Sequence, residues 1–406
     1  MSTFLDAGVS SQTLDALSAQ GIESPVAVQE TALPALLAGS DVVMEAPTGS
    51  GKTLAYLIPL VEGIGSPGHG PRGLVVTPTR ELAMQVSSVF ETLDHGVRSA
   101  LLYGGVGYAT QNLALKEGVD VVIGTPGRIL DMVGRKMLAL SRVEYLVLDE
   151  ADEMLDAGFA PDIERILGMT WQPQTVLASA TMPEWVRRVI ERYLKDPVHV
   201  KVELEDASKL EHGIVRIPSA DKLDTLVQLL RVHDASAIVF GRTKVGVNRL
   251  ARDLRRRGLN LAELQGDMNQ VMRDRAMAAF REQRVQVLVA TNVAARGIDI
   301  SHIGLVINYE LPDTPQWLVH RVGRTARMGG AGWALTFLTP EDGPQWMRLR
   351  SGGAPDIAEL NLERLLRGEW VYRTEENVGS PIGSSESPER RNHRPRRRGR
   401  VPVRVG

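Results

Sequence analysis

The sequence predicts an α/β protein: two tandem parallel-sheet domains joined by a linker and followed by a basic, disordered C-terminal tail. Three observations carry that expectation. Short, nearly continuous apolar runs alternate with helical patterns, as expected of parallel strands buried on both faces. The alternation stops in a polar stretch, KVELEDASKLEHG (201–213), and then restarts. At 406 residues the chain exceeds what one ordinary core fills, and a hydrophobic fraction of 43% is enough for two.

In the first half the expected strands are DVVMEA (41–46), GLVVTP (73–78), ALLYGG (100–105), DVVIGT (120–125), YLVLDE (145–150) and TVLASA (175–180). Helical stretches such as TRELAMQVSSVFETL (79–93) lie between them. Repeated βα units of this kind build an open sheet covered by helices. The second half repeats the pattern with GIVRIP (213–218), AIVFGR (237–242), LNLAEL (259–264), VQVLVAT (285–291), GLVINY (304–309) and GWALTFL (332–338). The expected divisions are a first domain at 1–203, a linker at 204–212, a second domain at 213–345, a short helical extension at 346–375 and a disordered Arg-rich tail at 376–406. Within the extension, DIAELNLERLLRG (356–368) reads as a helix.

Composition removes several classes of protein. No apolar run reaches the ~20 residues that span a bilayer, and the start, MSTFLDAGVS, lacks the basic and apolar regions of a secretory signal. There is no cysteine, hence no disulfide or thiolate metal site, and the eight histidines show no paired ligand spacing. A soluble cytoplasmic protein fits best. Net charge is only −2, but from Arg390 onward the chain carries eight arginines and no acid. Like charges that dense resist packing and favour polyanions; a plain solubility tail is the other reading.

The loop EAPTGSGKT (45–53) falls between an expected strand and the apolar helix LAYLIPLV. Its glycines let backbone N–H groups turn inward around phosphate oxygens, and the helix N-terminus adds its positive end. Lys52 would reach the β- and γ-phosphates and the Thr53 hydroxyl would ligate Mg²⁺. Further on, VLDEADEML (147–155) sets Asp149, Glu150, Asp152 and Glu153 almost back to back. Acids that open a helix gain ~0.3–1 kcal/mol each from its dipole, which is the plain reading. A phosphate loop elsewhere in the same half supports a sharper one. The strand ending at Asp149 is expected beside the phosphate-loop strand, with Asp149 in the Mg²⁺ shell and Glu150 polarising the attacking water.

The second half has no phosphate loop; FGRTK (240–244), after an early strand, lacks the glycines. It has HRVGRTAR (320–327) instead, with Arg321, Arg324 and Arg327 close to His320. A solvated basic helix face is one reading. The other is a set of cations facing the γ-phosphate across a cleft, where arginine fingers are worth ~10³–10⁵ in rate.

In this order the motifs resemble those of DEAD-box ATP-dependent RNA helicases of helicase superfamily 2, with DEAD itself at 149–152, over roughly residues 4–338. The resemblance implies two RecA-like domains, ATP and Mg²⁺ as cofactors, and single-stranded or short duplex RNA as partner. Phe4 and GIESPVAVQ (21–29) look like the adenine-reading motif, with Gln29 bonding the base. APTGSGKT (46–53) is then the family's own phosphate loop, which brings Pro47, Thr48, Gly49, Ser50, Gly51, Lys52 and Thr53 to the nucleotide and explains Ala46. PTREL (78–82), Gly104–Gly105 and TPGR (125–128) resemble RNA-backbone contacts, implying Pro78, Arg80, Gly105, Thr125, Gly127 and Arg128. SAT (Ser179, Ala180, Thr181) resembles the segment that couples hydrolysis to strand separation through Asp152.

In the second domain, QGDMNQVMR (265–273) resembles an RNA-contacting segment, with Gly266, Gln270 and Arg273 nearest the backbone. ATNVAARGIDI (290–300) resembles the motif touching both ligands: Thr291 toward RNA, Gly297 a phosphate, Asp299 the ribose. His320, Arg321, Arg324 and Arg327 fall on the final motif, the last two as fingers. The chain departs from the common pattern at Asn292 (usually Asp), Gln265 (His), Leu318 (Tyr) and Ala326 (Gly), none of which removes a catalytic group. Contacts through phosphates and 2′-hydroxyls carry little sequence information, so sequence-tolerant binding is implied. The alternatives are an ATP-gated RNA clamp, a non-catalytic RNA chaperone acting through the tail, and a DNA helicase. The C-terminal segment is a candidate contact for protein partners, and the oligomeric state is left open.

Overall fold

The structure, a computed structural model, describes residues 3–64, 70–93, 96–202, 210–292, 294–295, 300, 302–325 and 332–372. The tail at 376–406 and most of the linker lie outside the described residues. In the first half the elements run α1 (Ser11–Ser18), α2 (Ala27–Leu37), β1 (Val42–Glu45), α3 (Lys52–Gly63), β2 (Gly73–Val76), α4 (Arg80–Thr92), β3 (Ser99–Leu102) and α5 (Ala109–Glu117). They continue with β4 (Val121–Gly124), α6 (Pro126–Gly134), β5 (Tyr145–Leu148), α7 (Ala151–Asp156), α8 (Ala160–Leu167), β6 (Gln174–Ser179), α9 (Glu184–Tyr193) and β7 (Val198–Lys201). The strands form one parallel sheet in the order β3-β4-β2-β5-β6-β1-β7.

Alternate residues along each strand point to opposite faces, and both faces are apolar. Val42, Met44, Val75 and Val147 pack with Leu33 and Tyr56 on one side. Val43, Leu74, Leu146 and Leu148 pack with Ile129, Ile163 and Val186 on the other. Burial of both faces is why these strands read as unbroken apolar runs, each large side chain contributing ~1.5–3 kcal/mol.

The second half begins with β8 (Leu210–Arg216), then α10 (Lys222–Val232), β9 (Ser236–Gly241), α11 (Lys244–Arg256), β10 (Leu261–Leu264) and α12 (Gln270–Arg281). β11 (Val287–Thr291), β12 (Ile303–Asn308), α13 (Pro315–Val322), β13 (Gly332–Leu338), α14 (Gly343–Ser351) and α15 (Leu362–Leu365) follow. Its sheet is also parallel, in the order β10-β11-β9-β12-β13-β8. Subtracting seven from each label reproduces the first sheet without β7, so the halves correspond strand for strand, β8 to β1 and β9 to β2. Among the described residues no helix is long and apolar enough to cross a membrane.

Four expectations change. β6 separates β5 from β1, so the strand ending at Asp149 is not beside the phosphate-loop strand but one place removed. β7 was not expected; two of its four residues are exposed valine and histidine, which hides an apolar run. β8 starts at Leu210, inside the polar stretch read as linker. The helix expected over 356–368 shrinks to Leu362–Leu365. Ahead of it the backbone pairs with β8: Ile214 N donates to Ala358 O at 2.9 Å and Leu360 N to Ile214 O at 2.8 Å. Leu360 fills a notch over Gly213, where a Cβ would come within 2.2 Å of its side chain.

Candidate ATP and RNA sites between the two sheets

The loop between β1 and α3 supplies the cradle. Gly49 and Gly51 take left-handed φ values of 81° and 95°, open to glycine and strained for other residues. A Cβ on Gly51 would lie 2.6 Å from Val26 Cγ2 and 2.8 Å from Gln29 Nε2. Gln29 is bound into this corner: Nε2 donates to Gly51 O at 3.0 Å and Oε1 accepts from Val26 N at 3.0 Å. An amide side chain so held keeps one proton and one lone pair for a further partner. Phe4 is buried in the first core. Lys52 Nζ donates to Ala46 O at 2.5 Å and Pro47 O at 2.8 Å, and Ser50 Oγ is buried without a hydrogen-bond partner. A buried ammonium resting on carbonyls of its own loop, beside an unsatisfied hydroxyl, suits a polyphosphate.

The acids gather at the end of β5. Glu150 adopts a left-handed conformation, φ 50° and ψ 54°, and caps α7; such a backbone costs a non-glycine residue on the order of 1–3 kcal/mol. Asp149 Oδ2 accepts from the Tyr56 hydroxyl at 2.7 Å and Oδ1 from Glu150 N at 3.0 Å. Burial, with Glu150 beside it, pushes the Asp149 carboxyl up to about 6 despite Lys52. Burial and the neighbouring Glu153 push Glu150 up to about 8. Glu150 Oε2 is buried with no partner. Two buried carboxylates held above their usual range, near an ammonium, suit a divalent cation that relieves their repulsion. Asp149 and Glu150 offer carboxylates to such a cation and Thr53, second in α3, a hydroxyl; among the described residues no group of three or more His, Cys, Asp or Glu side chains is placed to hold a metal ion.

Asp152 links this region to β6. Its Oδ2 accepts from Thr181 N at 2.8 Å and Thr181 Oγ1 at 2.7 Å, while its own N–H donates to Ser179 Oγ at 3.2 Å. Burial raises Asp152, but His320, Thr181 and Ser179 outweigh it and leave the carboxyl below its usual value. Ala180, between the two hydroxyl residues, is half-buried.

The second half meets these acids directly. Helix α13 starts at a Thr314 cap and carries His320 and Arg321, with Arg324 just past its end. His320 Nε2 lies 3.5 Å from Asp152 Oδ2, and Arg324 Nη2 donates to Glu153 Oε1 at 2.9 Å. Arg321 turns the other way. It is 1% exposed, and it donates to Asn292 Oδ1 at 2.5 Å, Asn308 Oδ1 at 3.1 Å and Glu310 O at 2.7 Å. Burial lowers its guanidinium to about 9. Arg321 therefore braces the second domain from inside, with Asn292 as a neutral partner. Arg327, Gly297 and Asp299 lie outside the described residues.

The residues expected to face RNA divide similarly. Arg80 lies 3.3 Å from Asp274 Oδ2 and over the Tyr103 ring at 4.4 Å. Arg273 Nη2 lies 2.9 Å from Glu81 Oε1, and Gln270 Nε2 donates to Asp274 at 2.7 Å. Two reciprocal pairs thus join α4 to α12. Arg128 is tied within the first domain, to Gln111 and Val106 at 3.0 Å each and over Tyr108 at 4.3 Å. Helices α4, α6 and α12 begin at Arg80, at Pro126 beside Thr125 and Gly127, and at Gln270, so three N-termini coincide with these motifs. Pro78 is buried, Gly105 has φ 81°, Gly266 is exposed, and Thr291 ends β11. Motif reading did not single out Tyr56, Glu81 or Asp274; their signal is contact across the fold, which spacing does not carry.

The strand correspondence also relocates one comparison. FGRTK spans the end of β9 and the turn into α11, so its counterpart is the Pro78–Arg80 turn after β2, not the phosphate loop. The phosphate loop corresponds to residues 217–221.

Comparison with known proteins decides the family. The pattern describing the DEAD/DEAH box helicase matches residues 26–189, and that of the helicase conserved C-terminal domain matches residues 221–329. The DEAD-box ATP-dependent RNA helicase CshA of Bacillus subtilis is 42% identical, over 84% of this chain and 70% of its own length. The chain belongs to the DEAD-box helicase family. The ATP-dependent RNA helicase DeaD of Mycobacterium tuberculosis is 44% identical over 84% of this chain, which spans 61% of that relative's length. Among solved structures, S. cerevisiae Dbp5 bound to RNA and ADP BeF3 is 29% identical with a TM-score of 0.79, covering 90% of this chain and 97% of that one. Both sheets are therefore of the RecA-like helicase type.

Proposed function

We propose that this chain is an ATP-dependent RNA helicase that hydrolyses ATP between its two domains and locally opens short duplexes or remodels RNA–protein complexes. One observation carries the reading: His320 and Arg324 of the second domain reach Asp152 and Glu153 of the first, so the cation-bearing and phosphate-cradling halves share one site. Gln29 orients the adenine, while Gly49 and Gly51 open the cradle and Lys52 binds the β- and γ-phosphates. Thr53 and Asp149 hold Mg²⁺, which neutralises charge on the phosphate oxygens when bound with ATP. Glu150 takes a proton from the attacking water, for which a carboxyl raised toward neutrality is suited. Arg324 and Arg327 stabilise charge on the γ-phosphoryl group. Asp152, Ser179 and Thr181 transmit closure to the RNA face.

On that face Arg80, Arg128, Gln270 and Arg273 are proposed to hold phosphates and 2′-hydroxyls, together with the three helix N-termini. Contacts of that kind discriminate poorly between sequences. Steady-state ATP hydrolysis with and without single-stranded RNA, and with DNA of matched length, tests the reading. RNA is expected to raise the rate about tenfold or more and DNA to leave it near the unstimulated level. DNA stimulation, or none, removes RNA as the substrate; remodelling that survives Lys52→Ala favours the chaperone.

A further inference from the structure

Two tyrosines tie α3 to β5, and the proposed hydrolysis uses neither. The Tyr145 hydroxyl, at the start of β5, donates to Tyr56 O at 3.2 Å. Just past the other end of that strand, Asp149 Oδ2 accepts from the Tyr56 hydroxyl at 2.7 Å. Tyr56 is thus held at its carbonyl and at its hydroxyl, and it is wholly buried among apolar neighbours of the first core. A phenylalanine would fill the same space without a polar atom that burial obliges to find a partner. The hydroxyl is explained by what it bonds.

Its partners are the two groups proposed above to hold Mg²⁺. Thr53 and Tyr56 stand three residues apart on α3 and so share one face of it, and the Thr53 hydroxyl is a second hydrogen-bond partner of the phenol. One buried oxygen therefore joins the Thr53 hydroxyl to the Asp149 carboxylate. The phenol proton goes to Oδ2 while Oδ1 accepts from Glu150 N at 3.0 Å. The carboxylate is fixed at both oxygens, and each keeps a lone pair for a further partner. A proton donated to a carboxylate also favours its ionised form, the one a cation binds. None of these bonds crosses to the second domain.

The geometry points to Tyr56 as a positioning residue: its hydroxyl sets Asp149 and Thr53 to share one divalent cation. Outer partners of metal ligands are worth about 10–100-fold in metal affinity or activity. The inference rests on the reading of Asp149 and Thr53 as magnesium ligands.

Tyr56→Phe keeps the ring and removes one oxygen. Tyr145→Phe is the structural control, since it removes a buried phenol oxygen from the same α3–β5 contact, one that bonds Tyr56 O instead of a ligand. Binding of a fluorescent, non-hydrolysable ATP analogue, titrated with Mg²⁺ and repeated in EDTA, reads metal dependence without turnover. In Tyr56→Phe the midpoint Mg²⁺ concentration is expected to rise about tenfold. Its affinity in EDTA is expected to stay within about twofold of the parent, because the bonds lost are to the metal ligands. Tyr145→Phe is expected to keep the parent's midpoint. A parental midpoint in Tyr56→Phe overturns the proposal. Equal shifts in both variants, or a loss in EDTA as large as in Mg²⁺, assign the hydroxyl to packing and overturn it too, as does failure of Tyr56→Phe to fold. A parent protein whose affinity ignores Mg²⁺ overturns the metal reading itself, and the proposal with it.

Discussion

Apart from the extra β7, the two domains share one strand order, and they part at the junction after their first strands. After β1, the chain forms a glycine-rich loop whose Lys52 rests on loop carbonyls. After the corresponding β8, residues 219–221 form a 3₁₀ turn, and Lys222 occupies the helix start that Lys52 occupies in the first half. There Lys222 lies 3.7 Å from Asp342 and over the Tyr309 ring at 5.0 Å, while the Ser219 hydroxyl donates to Glu341. Acids following β13 thus fill the place that the first domain keeps for phosphate. At the next junction, after β2 and β9, the halves remain alike: Thr79 caps α4 through Leu82 N at 3.1 Å, and Thr243 caps α11 through Gly246 N at 3.0 Å. A duplicated scaffold can thus keep some loop-to-helix turns and retire the phosphate cradle simply by filling it with its own carboxylates.

The first test of that contrast compares the two lysines. Lys52→Ala is expected to lower RNA-stimulated hydrolysis by about 10²-fold or more, whereas Lys222→Ala stays within about twofold and costs ~0–1 kcal/mol of stability. Comparable losses in both variants, measured by steady-state turnover and chemical denaturation, would mean that the second junction is not retired. Next, Arg324→Ala is expected to cost ~10³ in kcat with the nucleotide-free fold intact by circular dichroism. A small effect there would move the burden to Arg327.

A third, smaller effect concerns Gly51. Gly51→Ala adds a Cβ at 2.6 Å from Val26 and 2.8 Å from Gln29, at a φ of 95°. It should weaken ATP binding about tenfold and cost on the order of 1–3 kcal/mol in stability; calorimetric titration and a melting curve read the two separately. The smallest effect is a pH signature. Below the unfolded value of 4.5 Glu150 is protonated in both states, and between that and about 8 the native protein retains a proton that the unfolded chain releases. Stability therefore falls as pH rises through that window. Glu150→Gln escapes the loss, so its melting point in nucleotide-free protein should exceed the parent's by a few degrees at pH 8.5 and by little at pH 4.5. A pH-independent difference would show that Glu150 is not desolvated as its burial implies.

Most of the fold was legible because a strand buried on both faces is apolar throughout; β13 spans Gly332–Leu338, the very run expected. β7 was not legible, since an edge strand with exposed Val198 and His199 carries no such run. The short α15 fails for a different reason: Leu360 pairs with β8 because Gly213 leaves room for it, and that room is far away in sequence. The candidate site divides in the same way. The loop and the acids are local patterns and could be read directly, whereas Arg321 and Arg324, three residues apart in one motif, turn in opposite directions. One faces Asn292 and Asn308, the other Glu153, and only the packed fold distinguishes an arginine that braces its own domain from one that reaches the other.

The seat of Leu360 over Gly213 bears on how this protein can be shortened. β8 is the outermost strand of its sheet, and residues 358–360 cover its middle with two backbone hydrogen bonds. A version trimmed at residue 345, where the sequence suggests the second domain stops, would uncover that rim and empty the notch. Bare strand rims recruit other strands. Such a trimmed protein would keep every residue proposed above for ATP and RNA and yet be prone to clump, its defect appearing in light scattering well before it appeared in turnover.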